Sequence, residues 1–198
     1  MQIGLFFGSF NPIHNGHLAI AGFMAQFTGL EKVWLVLSPQ NPLKARKTLL
    51  ADYHRLALAR IAVEEYSYLQ VSDIEFGLPK PSYTAVTLAH LREKYPQHQF
   101  SLILGSDSLE TFPKWRNPEA ILAQHKLYVF PRPGHDGGSL REHPSIEWVS
   151  GLPLMEISST FIRDAIAQKK DVRFLMPEKV YEYLLEMHFY ERGKVSGQ

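Results

Sequence analysis

Short apolar runs alternate with longer amphipathic stretches along nearly the whole sequence, and this alternation constrains the fold more than any other feature. The apolar runs at residues 3–7, 33–37 and 100–104 contain no charged residue, which is typical of parallel strands covered on both faces. The stretches that follow them carry apolar residues at helical spacing. Strand–helix alternation from end to end predicts an α/β fold with a doubly wound parallel sheet.

The pattern predicts five to six strands flanked by helices in a single Rossmann-like domain, residues 1–190, with a C-terminal tail at 191–198. The predicted strands are 3–7, 33–37, 69–76, 100–104, 127–130 and a sixth at 147–149. The predicted helices are 17–27, 52–66 capped by Asp52, 82–95 opened by Ser82, 119–124, one capped by Ser158 or Ser159 and reaching 168, and one with Pro177 at its first position that ends near 188.

Charge and cysteine content exclude several classes of protein. The chain has 21 basic and 20 acidic residues among 198, so a generally basic nucleic-acid binder is excluded. Because it has no cysteine, disulfides, thiol nucleophiles and Cys-ligated zinc are excluded too. The apolar start is too short for a signal peptide and no run approaches a membrane span. We expect a soluble cytoplasmic protein without nucleic-acid or membrane partners; the sequence leaves open whether it forms a homo-oligomer.

Ligands of doubly wound sheets bind outside the carboxyl ends of the strands, and the first strand runs there into a glycine- and histidine-containing turn. Gly8 lets a ligand approach the backbone, and the amides that enter the following helix favour a phosphate. His14 and His17 are three residues apart and share one face of the first helical turn. Helix-capping polar residues and half of a metal site are the structural alternatives.

A second phosphate site is predicted near the other end of the sequence. Ser158, Ser159 and Thr160 offer hydroxyls and amides at a helix N-terminus, where the helix dipole favours an anion. Arg163 lies one turn further on, and its side chain points back towards the same helix end. The alternative is an ordinary serine cap followed by an exposed arginine.

These two segments resemble the signatures of a known superfamily. Residues 8–17 resemble the His-x-Gly-His signature of nucleotidyltransferases related to class I tRNA synthetases, and residues 157–163 resemble their Ile-Ser-Ser-Thr-x-Ile-Arg motif. Within it, three further segments are similar to those of bacterial nicotinate mononucleotide adenylyltransferases: residues 81–88, residues 105–115 with Gly105, Asp107 and Trp115, and residues 130–134 with Arg132. The resemblance covers residues 3–190. Asn11 departs from it, because the family often has Asp there.

The resemblance implies adenylyl transfer in NAD biosynthesis. The 5′-phosphate of nicotinate mononucleotide attacks the α-phosphorus of ATP and gives nicotinate adenine dinucleotide (deamido-NAD) and pyrophosphate. Since the nucleophile is already an anion, catalysis needs positioning and charge neutralisation rather than a general base. Four residues are implied to act on the phosphates: His17 at the α-phosphate and transition state, with His14, Lys44 and Arg163. A solvated Lys44 is the alternative.

The implied ATP-binding residues share the turn after the first strand, the end of the fourth strand and the late helix N-terminus: Gly8, Ser9, Phe10, His14, His17, Gly105, Asp107, Ile157, Ser158, Ser159, Thr160 and Arg163. Those for the mononucleotide are Tyr83, Thr84, Asp107, Trp115 and Arg132. Trp115 would stack on the pyridine ring, and amides near Tyr83 and Thr84 would bind its carboxylate. Asp107 would accept from a ribose hydroxyl; the alternative, that it caps a helix, is compatible with this role. Mg²⁺ is implied to bind through the ATP phosphates, without a protein metal site.

Two other functions compete with this one. One is an adenylyltransferase that uses phosphopantetheine or nicotinamide mononucleotide. The segments around Tyr83 and Trp115 argue against phosphopantetheine as the substrate. The other is a non-catalytic nucleotide sensor, against which the set of His17, Lys44 and Arg163 argues. The sequence does not give the degree of preference for nicotinate over nicotinamide, or whether the loop at 38–51 closes on substrate.

Overall fold

Six parallel strands form one sheet in the computed structural model, which describes residues 1–39, 49–153 and 155–191. The strands are β1 (Gln2–Gly8), β2 (Lys32–Leu37), β3 (Leu69–Ser72), β4 (Gln99–Gly105), β5 (Leu127–Phe130) and β6 (Ile146–Trp148). The helices are α1 (Asn15–Phe27), α2 (Asp52–Val63), α3 (Thr84–Lys94), α4 (Ser106–Thr111), α5 (Pro118–Gln124), α6 (Ser159–Ala167) and α7 (Glu178–Glu186). The predicted doubly wound, single-domain α/β fold is confirmed.

The strand order β3-β2-β1-β4-β5-β6 places the topological switch point between β1 and β4. The chain builds outwards from β1 to β3, returns to the other side of β1 and builds outwards again. Successive β1 residues face opposite sides of the sheet, so Leu5 and Phe6 enter separate apolar clusters. Because both faces are buried, the strands read as continuous apolar runs. Gly8 and Gly105 are the last residues of the two central strands, β1 and β4. The crevice at the switch point therefore opens at the carboxyl ends of these strands.

The third strand is shorter than predicted. It ends at Ser72, and a 3₁₀ turn at Ile74–Gly77 follows. The apolar residues Ile74 and Phe76 make the run look continuous, but Glu75 between them is buried, and its carboxylate accepts hydrogen bonds from Ser82, just before the next helix, and from Thr87 within it. Those contacts require the chain to turn away from the sheet.

Several helix ends also differ from the predicted ones. Ala51 rather than Asp52 is the N-cap of α2, which ends at Val63, because the Asp52 carboxylate binds Arg55 instead of a helix amide. The third helix opens at Thr84, since the Ser82 hydroxyl donates to Glu75. Pro177 is the N-cap of α7, not its first residue, and that helix ends at Glu186. α1 begins two residues early, at Asn15.

Helix α4 was not predicted. It has six residues and starts directly after β4, so no loop composition marks its beginning. The predicted cap at Ser158 is confirmed, because the Ser158 side chain accepts from the amide of Phe161. Lys44 and most of the predicted 191–198 tail lie outside the described residues. No helix in the described ranges is long and apolar enough to cross a membrane.

Candidate active site

A cleft of about 1100 Å³ lies along the carboxyl ends of β1 and β4. All of the predicted site residues that the structure describes line it, and they are Gly8, Ser9, Phe10, His14, His17, Tyr83, Thr84, Gly105, Asp107, Trp115, Arg132, Ile157, Ser158, Ser159, Thr160 and Arg163. Residues up to 155 positions apart in sequence are thereby brought together at the switch point of the sheet. Lys44 falls outside the described ranges, so its position is not part of this geometry.

The two histidines form a stacked pair at the start of α1. Their ring centroids are 3.7 Å apart and the ring planes differ by 24°. His14 is the N-cap residue, so its backbone is extended while that of His17 is already helical. The ring of His17 also meets the edge of Phe10, with centroids 5.0 Å apart. The packing fixes both imidazoles on the same side of the helix entrance.

A backbone contact sets the tautomer of His17. The amide of His14 donates to His17 Nδ1 across 3.2 Å. While Nδ1 accepts this bond, the proton of the neutral ring is on Nε2. The neutral ring therefore has its N–H on Nε2, and His17 is one of the residues that line the cleft.

His14 is held neutral. It is 4% exposed, and burial, together with the nearby positive charge of Arg132, lowers the pKa of His14 from 6.5 to about 4. A neutral imidazole in this position can donate a hydrogen bond without repelling Arg132. The arrangement therefore collects cationic and neutral donors on one wall without stacking two charged rings.

This low pKa predicts acid sensitivity of the fold. Because the unfolded chain binds this proton near pH 6.5 and the folded chain only near pH 4, the free energy of unfolding falls as the pH drops between those values. Between pH 7.5 and 4.5 we expect the wild type to lose about 2 kcal/mol more than His14→Gln. Urea unfolding at both pH values measures this. His90→Gln, at an exposed position of α3, is the control, and equal losses in wild type and His14→Gln would contradict the assignment.

The β1–α1 turn (residues 9–14) is shaped by Phe10. Its φ is +44°, in the left-handed region that a non-glycine residue rarely adopts. The ring, 1% exposed, lies over Gly8, where an added Cβ would come within 2.9 Å of Phe10 Cζ. Glycine at position 8 is thus required for the ring to pack where it also supports His17.

The N-terminus of α6 is bound to this turn from the other end of the sequence. The Ser159 hydroxyl donates to the carbonyl of Pro12 across 2.9 Å. Arg163 donates from Nη1 to the carbonyl of Asn11 across 2.8 Å and from Nη2 to the Thr160 hydroxyl across 3.1 Å. Arg163 is half-buried, so the alternative of an exposed arginine after an ordinary cap is wrong.

Asn11, where the resembling family often has Asp, is buried in a small polar network. Its Oδ1 accepts from the amide of Leu50 across 3.1 Å and from the hydroxyl of Tyr190 across 2.8 Å. Burial raises the pKa of Tyr190, so its hydroxyl remains a donor. An amide oxygen therefore fills both acceptor roles at position 11 without burying a charge.

At the carboxyl end of β4, α4 places Asp107 beside Arg132. Gly105 is the N-cap of α4, so the alternative in which Asp107 caps a helix is wrong. A Cβ at Gly105 would collide with Asp107 Oδ1 and come within 3.0 Å of Arg132 Cγ. The Arg132 amide donates to the Ser106 hydroxyl across 2.8 Å. Close packing at Gly105 thus joins an exposed carboxylate and a guanidinium at the end of β4.

The third wall of the cleft is the N-terminus of α3 with the aromatic residue Trp115. Tyr83 is the N-cap of α3, so the amides of the first turn point towards the cleft end of the helix. Trp115 is half-buried and packs on Phe112 with centroids 4.9 Å apart. The guanidinium of Arg116 lies over the Tyr83 ring at 5.0 Å. An aromatic surface, helix amides and a cation therefore meet in one subsite.

Sequence reasoning missed three residues that organise these walls: Arg55, Glu75 and Arg116. Glu75 accepts from the hydroxyls of Ser82 and Thr87, at 3.0 and 2.7 Å, and so holds the start of α3. Arg55 stands on the otherwise apolar face of α2, three residues before Leu58. A charged residue inside an apolar stripe or run is a signal that could have identified the first two. Nothing in the sequence marked Arg116.

Comparison with known proteins places the chain in a family. Residues 5–165 match the family model described as cytidylyltransferase-like. A Flavobacterium johnsoniae protein named probable nicotinate-nucleotide adenylyltransferase is 51% identical over 194 residues, which is 97% of this chain and 100% of that protein. A Bacteroides fragilis protein of the same name is 44% identical over 185 residues, which is 93% of this chain and 92% of that protein.

A solved structure shares the fold at lower identity. The Plasmodium falciparum nicotinic acid mononucleotide adenylyltransferase complexed with NaAD matches with a TM-score of 0.79 at 19% identity. The match covers 96% of this chain and 97% of that one. At this identity the likeness concerns the path of the chain.

Proposed function

The chain belongs to the nicotinate-nucleotide adenylyltransferases of the cytidylyltransferase-like family, and from that premise we propose how its cleft transfers the adenylyl group of ATP to nicotinate mononucleotide. One observation carries the proposal. Two phosphate-binding elements from opposite ends of the sequence, the histidine pair and the N-terminus of α6, are bonded to each other through the β1–α1 turn. They face a separate aromatic subsite across one cleft.

The phosphates of ATP bind along the wall formed by α1 and α6. The His17 Nε2–H donates to the α-phosphate, where charge develops on the non-bridging oxygens during transfer. His14 assists as a neutral donor. Arg163 and the amides at residues 158–160 hold the β- and γ-phosphates, which leave as pyrophosphate. Lys44 is proposed to add its charge to the same phosphates.

The mononucleotide binds in the aromatic subsite. Its pyridine ring stacks on Trp115, and its carboxylate accepts from amides at the start of α3 near Tyr83 and Thr84. Asp107 accepts from a ribose hydroxyl, and Arg132 neutralises the 5′-phosphate. This phosphate is the nucleophile: one of its oxygens forms a bond to the α-phosphorus, and the bond from that phosphorus to the pyrophosphate oxygen breaks.

Mg²⁺ would enter with ATP. Among the described residues, no group of three or more His, Cys, Asp or Glu side chains is placed to hold a metal ion. We propose that the ion is bound mainly by phosphate oxygens and water, as Mg²⁺ prefers when its ligands include nucleotide phosphates. When bound, the ion supplies positive charge against the leaving pyrophosphate. We place the reaction in the cytoplasm, where its nucleotide substrates are.

Pyrophosphate release with ATP tests the proposal and separates it from its alternatives. The assay is run with nicotinate mononucleotide, nicotinamide mononucleotide and phosphopantetheine. Release that depends on nicotinate mononucleotide, with deamido-NAD as the second product, is the expected result. ATP binding without release from any acceptor would identify a nucleotide sensor instead.

Arg163→Ala is expected to raise the KM for ATP about tenfold, with a smaller change for the mononucleotide, because the arginine is proposed to bind the β- and γ-phosphates and not the mononucleotide. Arg163→Lys should not restore the affinity fully, since a point charge cannot replace a planar fork that also binds Asn11 and Thr160. Steady-state kinetics and calorimetry measure both effects. Arg92→Ala, exposed on α3, is the control. Unchanged ATP affinity in Arg163→Ala would place the arginine outside the phosphate site.

A further inference from the structure

Arg55 is the largest fully buried side chain of the described structure, and no motif accounts for it. It is 0% exposed and lies on the face of α2 that is otherwise occupied by Leu58, Ala59 and Ala62. Burying a guanidinium is strongly unfavourable unless it is paired and its donors are satisfied. The desolvation cost of this buried charge must therefore be offset by hydrogen bonds and an ion pair.

Its donors bind four acceptors from three segments of the chain. Nη1 donates to the carbonyl of Ser9 across 2.7 Å and to the carbonyl of Ser38 across 3.1 Å. Nε donates to the carbonyl of Leu50 across 3.1 Å. Nη2 donates to Asp52 Oδ1 across 2.5 Å, which also balances the charge. One guanidinium thus joins the exits of β1 and β2 to the entrance of α2.

The carbonyls of Ser9 and Ser38 lie just beyond the last residues of β1 and β2, where the sheet no longer provides partners, and that of Leu50 lies just before α2. The planar fork of arginine can serve several carbonyls at fixed angles, whereas the three donors of a lysine ammonium radiate from a single nitrogen atom. Arg55 therefore does more than fill space. It fixes where the backbone leaves the sheet on the cleft side of the switch point.

The contact to Ser9 leads directly to the reacting groups. Ser9 precedes Phe10, whose backbone is in the left-handed region and whose ring meets the His17 ring at a centroid distance of 5.0 Å. A shift of the Ser9 carbonyl would move Phe10 and release the support of His17. A displacement of about 1 Å at a reacting centre can cost on the order of a hundredfold in rate.

We propose that Arg55 is a positioning residue for adenylyl transfer: by binding the Ser9, Ser38 and Leu50 carbonyls it holds the β1–α1 turn in the geometry in which His17 meets the α-phosphate. The inference rests on the proposed function and adds a residue that touches no substrate. The Asp52 carboxylate extends the network, because its Oδ2 accepts from Lys80 across 3.4 Å near the mononucleotide subsite. Loss of Arg55 should therefore lower turnover more than it weakens substrate binding.

The test compares Arg55→Lys with Arg60→Lys. Arg60 is on the same helix but is exposed, and it pairs with Asp73 at the surface. In Arg55→Lys, kcat per folded molecule should fall at least tenfold while the KM for ATP changes less than about threefold. Arg60→Lys should keep both values. Circular dichroism at the assay temperature gives the folded fraction, so that lost stability is not counted as lost turnover.

A second variant covers the case in which Arg55→Lys does not fold. Asp52→Ala removes one of the four acceptors at a partly exposed position, and kcat should fall at least threefold at saturating substrate. A purely structural role would lower the unfolding midpoint of folded variants and leave their kcat unchanged, which would overturn the inference. If the wild type itself releases no pyrophosphate with nicotinate mononucleotide, the proposed function fails rather than the role of Arg55.

Discussion

Replacing His17 by alanine should lower kcat about a hundredfold while ATP affinity changes little. The Nε2–H of this ring is held in place by the His14 amide on Nδ1 and by Phe10 at its edge, so it is preorganised for charge that develops at the α-phosphate. By analogy with loss of one preorganised oxyanion donor, the cost is about 3 kcal/mol in the transition state. Single-turnover kinetics at saturating ATP isolate this step.

A control variant and a binding measurement show whether the loss of kcat is specific to the role of His17 in the transition state. His90→Ala, at an exposed position of α3, should keep its kcat. Calorimetry should give an ATP affinity for His17→Ala within about threefold of the wild type, because the other phosphate contacts are intact. A variant with near-normal kcat would show that His17 does not stabilise the transition state.

The second large effect is a preference for nicotinate over nicotinamide mononucleotide of at least about a hundredfold in kcat/KM. The two substrates differ only in a carboxylate or a carboxamide on the ring. With the carboxamide, a charged hydrogen bond worth about 1.5 to 3 kcal/mol is lost, and its NH₂ faces the helix amides as one donor against another. The Arg116 guanidinium over Tyr83 adds positive charge beside the same subsite. Steady-state kinetics with both substrates measure the ratio.

Trp115→Ala divides this prediction into two parts. If the indole is only a stacking surface, its loss should weaken both mononucleotides and leave their ratio largely intact. Equal kcat/KM values in the wild type would mean that the start of α3 does not bind the carboxylate. A ratio that collapses only in Trp115→Ala would move the source of selectivity from the helix amides to the indole.

The sheet could be predicted from the sequence because parallel strands are buried on both faces and leave uninterrupted apolar runs. The local sequence pattern is misleading where the course of the backbone depends on hydrogen bonds to residues from another segment. Glu75 bends the chain after β3 because Ser82 and Thr87 offer it hydroxyls, and no local signal shows those partners. Helix α4 follows β4 without a break in composition, so it was missed.

The candidate site could be predicted to a similar degree and for a related reason. Residues that would touch phosphate or pyridine have distinctive types and spacings, such as the histidine pair and the Ser158–Thr160 segment. Other residues, such as Arg55, bind groups of the protein itself. The carbonyls that Arg55 binds come together only in the folded chain, so the sequence does not show them as its partners. A charge inside an apolar helix face was the one available sign.

The contacts between α6, Tyr190 and the β1–α1 turn have a consequence for the order of assembly. The hydrogen bonds from Ser159, Arg163 and Tyr190 close loops of 147, 152 and 179 residues. Contacts this distant in sequence contribute only after the entropy of closing the loop has been overcome. During synthesis the histidine pair leaves the ribosome long before its partners exist. The nucleotide site should thus form only once nearly all of the described chain has folded. Bound ATP should therefore stabilise fully folded molecules over partly folded ones.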